Sequence, residues 1–190
     1  MASPDAASRE AIASLQYLTS LLESQADLDR VIDGYLETRR LLARTFRDLA
    51  HAHLELVNPV LDAVQTKVER RMEELYGGRV PPKYLTVRRY GSTHQLLAAY
   101  MFRQPGLPVP ASRLRLLTGD QVHTERRVRE LRDLGLSIQA ARVGGENQYI
   151  LASQEPDVDR GAAIQVAQNI KASDLDRAAR SRLLSAAGLA

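Results

Sequence analysis

The chain has 190 residues, enough for one full domain or two small ones, and 44% hydrophobic with 26% charged residues is the composition of a folded protein, not a disordered one. The absence of cysteine excludes a disulfide framework, a thiolate metal site and a cysteine nucleophile, and no apolar run approaches the roughly 20 residues that cross a bilayer. The net charge of +3 hides an uneven spread: residues 1–78 carry 9 Lys and Arg against 13 Asp and Glu, residues 79–145 carry 12 against 4, and residues 146–190 carry 5 against 6. Positive charge gathered in the middle third suits a surface that neutralises phosphates and releases their counterions.

Met1 to Ser8 has neither the basic start nor the apolar stretch of a signal peptide, so the expectation is a cytoplasmic protein. From Ala6 to Tyr76 apolar residues recur at helical spacing: Leu15, Leu18 and Leu22, then Leu28, Val31, Ile32, Tyr35 and Leu36, then Leu42, Phe46 and Leu49. Ser24 with Asp27 resembles a capping box, which ends one helix near Leu22 and starts another near Gln25. Asn58-Pro59 reads as a cap followed by a first-turn proline, opening a third helix that runs to about Tyr76. On that helix Val57, Leu61, Val64, Val68, Met72 and Leu75 step by 4, 3, 4, 4 and 3, a stripe that suits an intramolecular bundle and a dimer seam alike.

Gly77-Gly78 and Pro81-Pro82 interrupt the helical pattern and place a domain boundary there. Lys83 to Tyr90 alternates in part and predicts a short basic strand or an extended lead-in. Ser92 or Thr93 then caps a helix through Leu96, Leu97, Tyr100, Met101 and Phe102, which Pro105-Gly106 stops.

The stretch from Val109 to Leu151 is the most specific. A short helix with Leu114, Leu116 and Leu117 leads through Thr118-Gly119-Asp120 into a basic helix from Gln121 to Leu134. At 100° per residue, Thr124, Val128 and Leu131 share one side of that helix, and His123, Arg126 and Glu130 project from the other. Gly135 suits a left-handed helix terminus, and Ser137 to Val143 pairs with Gln148 to Leu151 around Gly144-Gly145-Glu146-Asn147. Two helices, the second arginine-rich, followed by a glycine-tipped hairpin is the order of a winged helix-turn-helix, which presents its second helix to the DNA major groove.

On that reading Arg126 is the first choice for a base contact, Arg127 and Arg129 flank it toward backbone phosphates, and Gln121, His123 and Thr124 sit at the helix start that enters the groove. Arg142, near the wing tip, is equally compatible with a groove or phosphate contact and with a solvated edge residue. Tyr149 reads as packing, not as a base-stacking platform. The plainer reading of the basic helix is an amphipathic face whose arginines are solvated or paired with Glu125, Glu130 and Asp133.

The segment Thr118 to Gly135 resembles the recognition segment of bacterial winged helix-turn-helix proteins, particularly those attached to actinobacterial restriction-type endonucleases. The resemblance covers about a third of the chain and implies duplex-DNA recognition by the second helix and wing; it does not extend to the N-terminal helices of residues 1–78.

Catalysis finds little support. His51, His53, His94 and His123 form no His-Asn-His arrangement, and there is no Asp…Glu-x-Lys nuclease cluster or lysine-bearing phosphate loop. His51 and His53 point about 200° apart on a helix, and Glu73-Glu74 reads as a solvated helix face. The expected molecule is therefore mainly α: a helical bundle or coiled coil over 1–78, a winged helix-turn-helix with a small hairpin wing over 79–155, and a helical tail over 156–190. After Gln154-Glu155-Pro156-Asp157, the Ala-rich tail from Gly161 holds two helices, with Ser173 and Asp176 again resembling a capping box. The expected activity is non-catalytic binding of double-stranded DNA in the nucleoid, without metal or cofactor, as a transcription regulator or as the recognition component of a restriction or phage-defence assembly. A homodimer through the N-terminal helices and a protein partner in such a complex are also expected. The alternative is a structural adaptor whose winged helix binds protein.

Overall fold

The computed structural model describes residues 4–54, 60–88, 90–120 and 123–190. Eight helices and one three-stranded antiparallel sheet are found among them. None of these helices is long and apolar enough to cross a membrane. The chain divides into two compact units, residues 1–57 with 112–124 and residues 58–111 with 125–190. The division does not fall at Gly77-Gly78, because the third helix is part of the second unit's core.

In the first unit, α1 (Pro4–Glu23) and α2 (Leu28–Leu54) form an antiparallel hairpin. Asp27 itself caps α2, accepting from the Arg30 N–H at 3.0 Å, and the Ser24 hydroxyl donates to the Leu21 carbonyl. The capping-box reading was thus displaced by three residues, because Asp is as good an N-cap as Ser. The seam of the hairpin is built from small residues: Ala7, Ala11, Gly34 and Thr38 are all buried. Thr38 and Ser14 share a 2.8 Å hydroxyl contact, and Thr45 donates to the Ala7 carbonyl at 3.2 Å. The 112–124 segment brings most of α5 (Ala111–Leu117) into the same unit, ending in Gly119 and Asp120, both left-handed at φ 71° and 57°.

The second unit begins with α3 (Val60–Tyr76), whose stripe Leu61, Val64, Val68 and Met72 is almost wholly buried against α7 (Val158–Lys171) and α4 (Ser92–Phe102). Of the two uses open to that stripe, the intramolecular one is realised. The Asn58-Pro59 cap lies outside the described residues. Of Lys83 to Tyr90, read as a short strand or an extended lead-in, Lys83 and Tyr84 belong to a 3-10 turn (Pro82–Tyr84) and the described residues that follow form no strand, while α4 is capped by Gly91, not by Ser92 or Thr93.

The sheet runs β1 (Pro108–Pro110), β3 (Glu146–Ser153), β2 (Ser137–Val143). Val143 faces Glu146, so Gly144 and Gly145 alone make the hairpin loop, at φ 60° and 85°. Two successive positive φ angles are what a type I′ turn demands, and glycine supplies them without steric cost. Glu146 and Asn147, expected in the loop, are strand residues. Tyr149 is buried opposite Val109 and Ala140, as packing requires.

Helix α6 (Thr124–Asp133) buries Val128 and Leu131 completely, and α7 and α8 (Arg177–Ala187) complete the unit. Asp157 and Asp176 are the N-caps of α7 and α8. Ser173 instead donates to the Ile170 carbonyl at 2.6 Å, so this pattern too marked its acid and not its serine.

Candidate nucleic-acid interface

Helix α6 owes its orientation to what lies behind it. Its apolar residues Val128 and Leu131, with Leu134 just beyond, are 0% exposed, which turns Arg126 and Arg129 outward. The Tyr90 hydroxyl donates to the Glu130 carbonyl at 2.9 Å, and Gln165 of α7 donates to that hydroxyl at 2.9 Å and to the Asp133 carbonyl at 3.3 Å. Gln168 donates to the Asp133 carboxylate at 3.1 Å. The exposed arginines therefore stand on a helix pinned along its inner side.

Glu130 is the hub of the polar side. Its Oε1 accepts from Arg126 Nε at 3.0 Å, and its Oε2 accepts from Arg127 at 2.8 Å and lies 2.7 Å from His94 Nε2. His94 Nδ1 accepts the Gly91 N–H at 3.1 Å, which leaves the imidazole proton on Nε2 to be donated to Glu130. Burial alone would raise the Glu130 carboxyl, but hydrogen bonds from His94, Arg127 and Arg126 outweigh it and hold it at about 2. Burial pushes the His94 imidazole below its ordinary 6.5 against the upward pull of Glu130.

Both shifts act in one direction on stability. Below about 6.5 the unfolded chain takes up a proton at His94 that the folded chain declines, and below about 4.5 the same holds at Glu130. Stability is therefore expected to fall as pH drops from 7.5 to 5, and further below 4.5. Urea midpoints at pH 7.5, 6.0 and 5.0 measure it, and His94→Gln should flatten the upper part of that dependence. An unchanged slope in that variant would remove His94 as its source.

The residues singled out in the sequence are placed as follows. Arg126 is exposed, Arg127 half-buried and Arg129 exposed, all on α6, and the first two meet on Glu130. Arg142 is exposed on β2, its Nε donating to the Gly145 carbonyl at 3.3 Å across the hairpin turn. His123 is exposed, and Gln121 lies outside the described residues. Thr124 is corrected: it is 2% exposed, and its hydroxyl lies 2.9 Å from that of Thr118, so it faces inward and offers nothing to a ligand. Its spacing of four and seven from Val128 and Leu131 already placed it on the buried side.

The sequence reading missed His94, Tyr90 and Gln165. Their links to α6 span 36, 40 and 32 residues, and no local pattern marks them. Among the described residues, no group of three or more His, Cys, Asp or Glu side chains is close enough to hold a metal ion.

A family model described as the KpnI N-terminal domain matches residues 94–153, from within α4 to the end of β3. No curated protein and no solved structure matches the chain. The match takes in α6, Glu130, His94 and the hairpin. It is with a restriction-related domain and fits the restriction-type resemblance of Thr118 to Gly135.

Proposed function

We propose that the chain is a non-catalytic duplex-DNA-binding protein that reads DNA through a winged helix-turn-helix, with α6 as recognition helix and the β2–β3 hairpin as wing. The observation that carries this reading is α6 itself: one side wholly buried, the other presenting Arg126, Arg127 and Arg129 within a segment of 12 basic and 4 acidic residues. In this role Arg126 contacts a base edge, where a bidentate pair with guanine discriminates by roughly 1–3 kcal/mol, and Arg127, Arg129 and Arg142 contact phosphates. Thr124 has no part in it.

The match with the KpnI N-terminal domain supports work within a restriction or phage-defence assembly, with transcription regulation as the other setting for the same binding. Action on the cytoplasmic nucleoid follows from the substrate. A second reading, the protein-binding adaptor, is favoured by one observation: Glu130 already pairs with Arg126 and Arg127, as it would on a merely solvated helix face.

Salt separates the two. Fluorescence anisotropy of random-sequence duplex should show binding at about 50 mM salt that weakens at least tenfold by about 200 mM, since each phosphate neutralised contributes about 0.9 to the log–log slope. No binding at low salt would overturn the DNA reading and put the adaptor in its place.

A further inference from the structure

The first unit carries a second apolar stripe that its own fold does not use. Along α2, Leu28, Ile32, Tyr35, Leu42, Phe46 and Leu49 follow steps of 4 and 3 when Arg39 is counted at the middle, a repeat of 3.5 held for three heptads. Five of the six are between 37% and 72% exposed, and Leu42 is half-buried. The line that α1 covers, through Gly34, Thr38 and Thr45, lies about 100° round the helix. The hairpin thus closes on Ala7, Ala11, Gly34, Thr38 and Thr45 together with Leu21 and Leu54, and leaves most of its large apolar residues outside, the reverse of what a self-sufficient two-helix unit does.

Leu15 of α1 and Leu116 of α5 border the stripe and turn its middle into a groove of about 330 Å³. The Arg39 guanidinium, the one charge among the seven stripe positions, is paired with the Asp120 carboxylate at this groove.

We propose that a second copy of this chain covers this face, α2 against α2 in antiparallel sense, to give a twofold dimer. A 3.5-residue repeat calls for a helical partner with the same repeat. Reversal about the midpoint beside Arg39 sets Leu28 against Leu49 and Tyr35 against Leu42, with Ile32 and Phe46 one residue out of step with each other. Charge selects the sense. The first half of α2 carries Asp29, Asp33 and Glu37 against Arg30, and the second half carries Arg39, Arg40, Arg44 and Arg47 against Asp48, so antiparallel copies bring opposite signs together and parallel copies bring like signs together.

The area suffices. Half-exposed side chains of this size leave about 80–100 Å² each, so the stripe with Leu15 and Leu116 offers on the order of 600 Å² per copy. Two copies then hide about 1,200 Å², the lower end of a stable specific interface.

This interface is independent of DNA, and its test contains none, so either proposal can fail alone. Sedimentation of the full chain at about 50 µM is expected to give twice 21.1 kDa, and Tyr35→Glu with Phe46→Glu is expected to give the single mass with unchanged helical circular dichroism. A full chain that sediments as a monomer, or a dimer that these two substitutions leave intact, would overturn the proposal. The native chain has no cysteine, so introduced ones report the geometry even where the charged variants fold poorly. A Leu28→Cys chain mixed with a Leu49→Cys chain should form an oxidised cross-link, and the Leu28→Cys chain alone should not. Self-linking of Leu28→Cys would show a parallel pair and overturn the antiparallel assignment.

Discussion

Replacing Arg126 and Arg127 together by alanine is expected to weaken duplex-DNA binding on the order of 100-fold at moderate salt, through the lost base contact of Arg126 and the lost phosphate contact of Arg127, and to flatten the log–log salt dependence by about 0.9, the share of the one phosphate contact. The fold should survive, because Val128 and Leu131 anchor α6 from the other side and Arg126 is largely in solvent. Glu130→Gln supplies the opposite sign. In the free protein the Glu130 carboxylate holds both arginines, and on the duplex they must exchange it for phosphate oxygens. Removing its charge removes the competitor, so this variant should bind DNA several-fold more tightly at low salt while losing about 1–3 kcal/mol of stability with its charged hydrogen bonds. Anisotropy titrations of the three proteins, with circular dichroism alongside, measure both effects. Equal affinity in all three would mean that α6 faces solvent and not DNA, and that its positive charge is only a solvated surface.

What could be foreseen in this chain depended on the range of the signal. The extent of β2 and the place of its turn were legible because Gly144-Gly145 marks the reversal and left-handed φ is a property of consecutive residues, even though β2 buries only Ile138 and shows no alternation. The caps were legible in kind and misplaced in position: Asp27 and Asp176 cap their helices where Ser24 and Ser173 were expected, since S-x-x-D contains two good N-caps and the pattern does not say which is used. The apolar stripes of α2 and α3 look alike in sequence, yet only α3 finds an intramolecular mate, and that mate, α7, lies about ninety residues downstream. The arginines of α6 were visible as a charged face. Their common tether was not, because Glu130 is satisfied partly by His94, on a helix that precedes it by 36 residues.

The same long-range packing makes one glycine decisive. Gly161 lies inside α7, where alanine is ordinarily favoured over glycine by about 1 kcal/mol. A Cβ there would stand 2.5 Å from the Leu134 carbonyl oxygen and 3.0 Å from its carbon, backbone atoms that cannot swing aside. Gly161→Ala is therefore expected to destabilise the second unit by about 2–3 kcal/mol, overpacking outweighing the propensity gain, with a drop of roughly 5–10 °C in melting temperature. Gly34 of α2 makes the contrast. Its Cβ would meet Leu21 Cδ1 at 2.8 Å, the end of a side chain that can rotate, so Gly34→Ala should stay within about 1 kcal/mol of the native chain. Thermal melts followed by circular dichroism compare the two, and a Gly161→Ala protein as stable as the native one would show that α7 does not pack this closely on the end of α6. The site shares the consequence: Gln165 and Gln168 reach α6 from the helix that Gly161 lets approach. Moving α7 outward should weaken DNA binding in Gly161→Ala even at temperatures where the protein remains folded, without altering a residue that touches DNA.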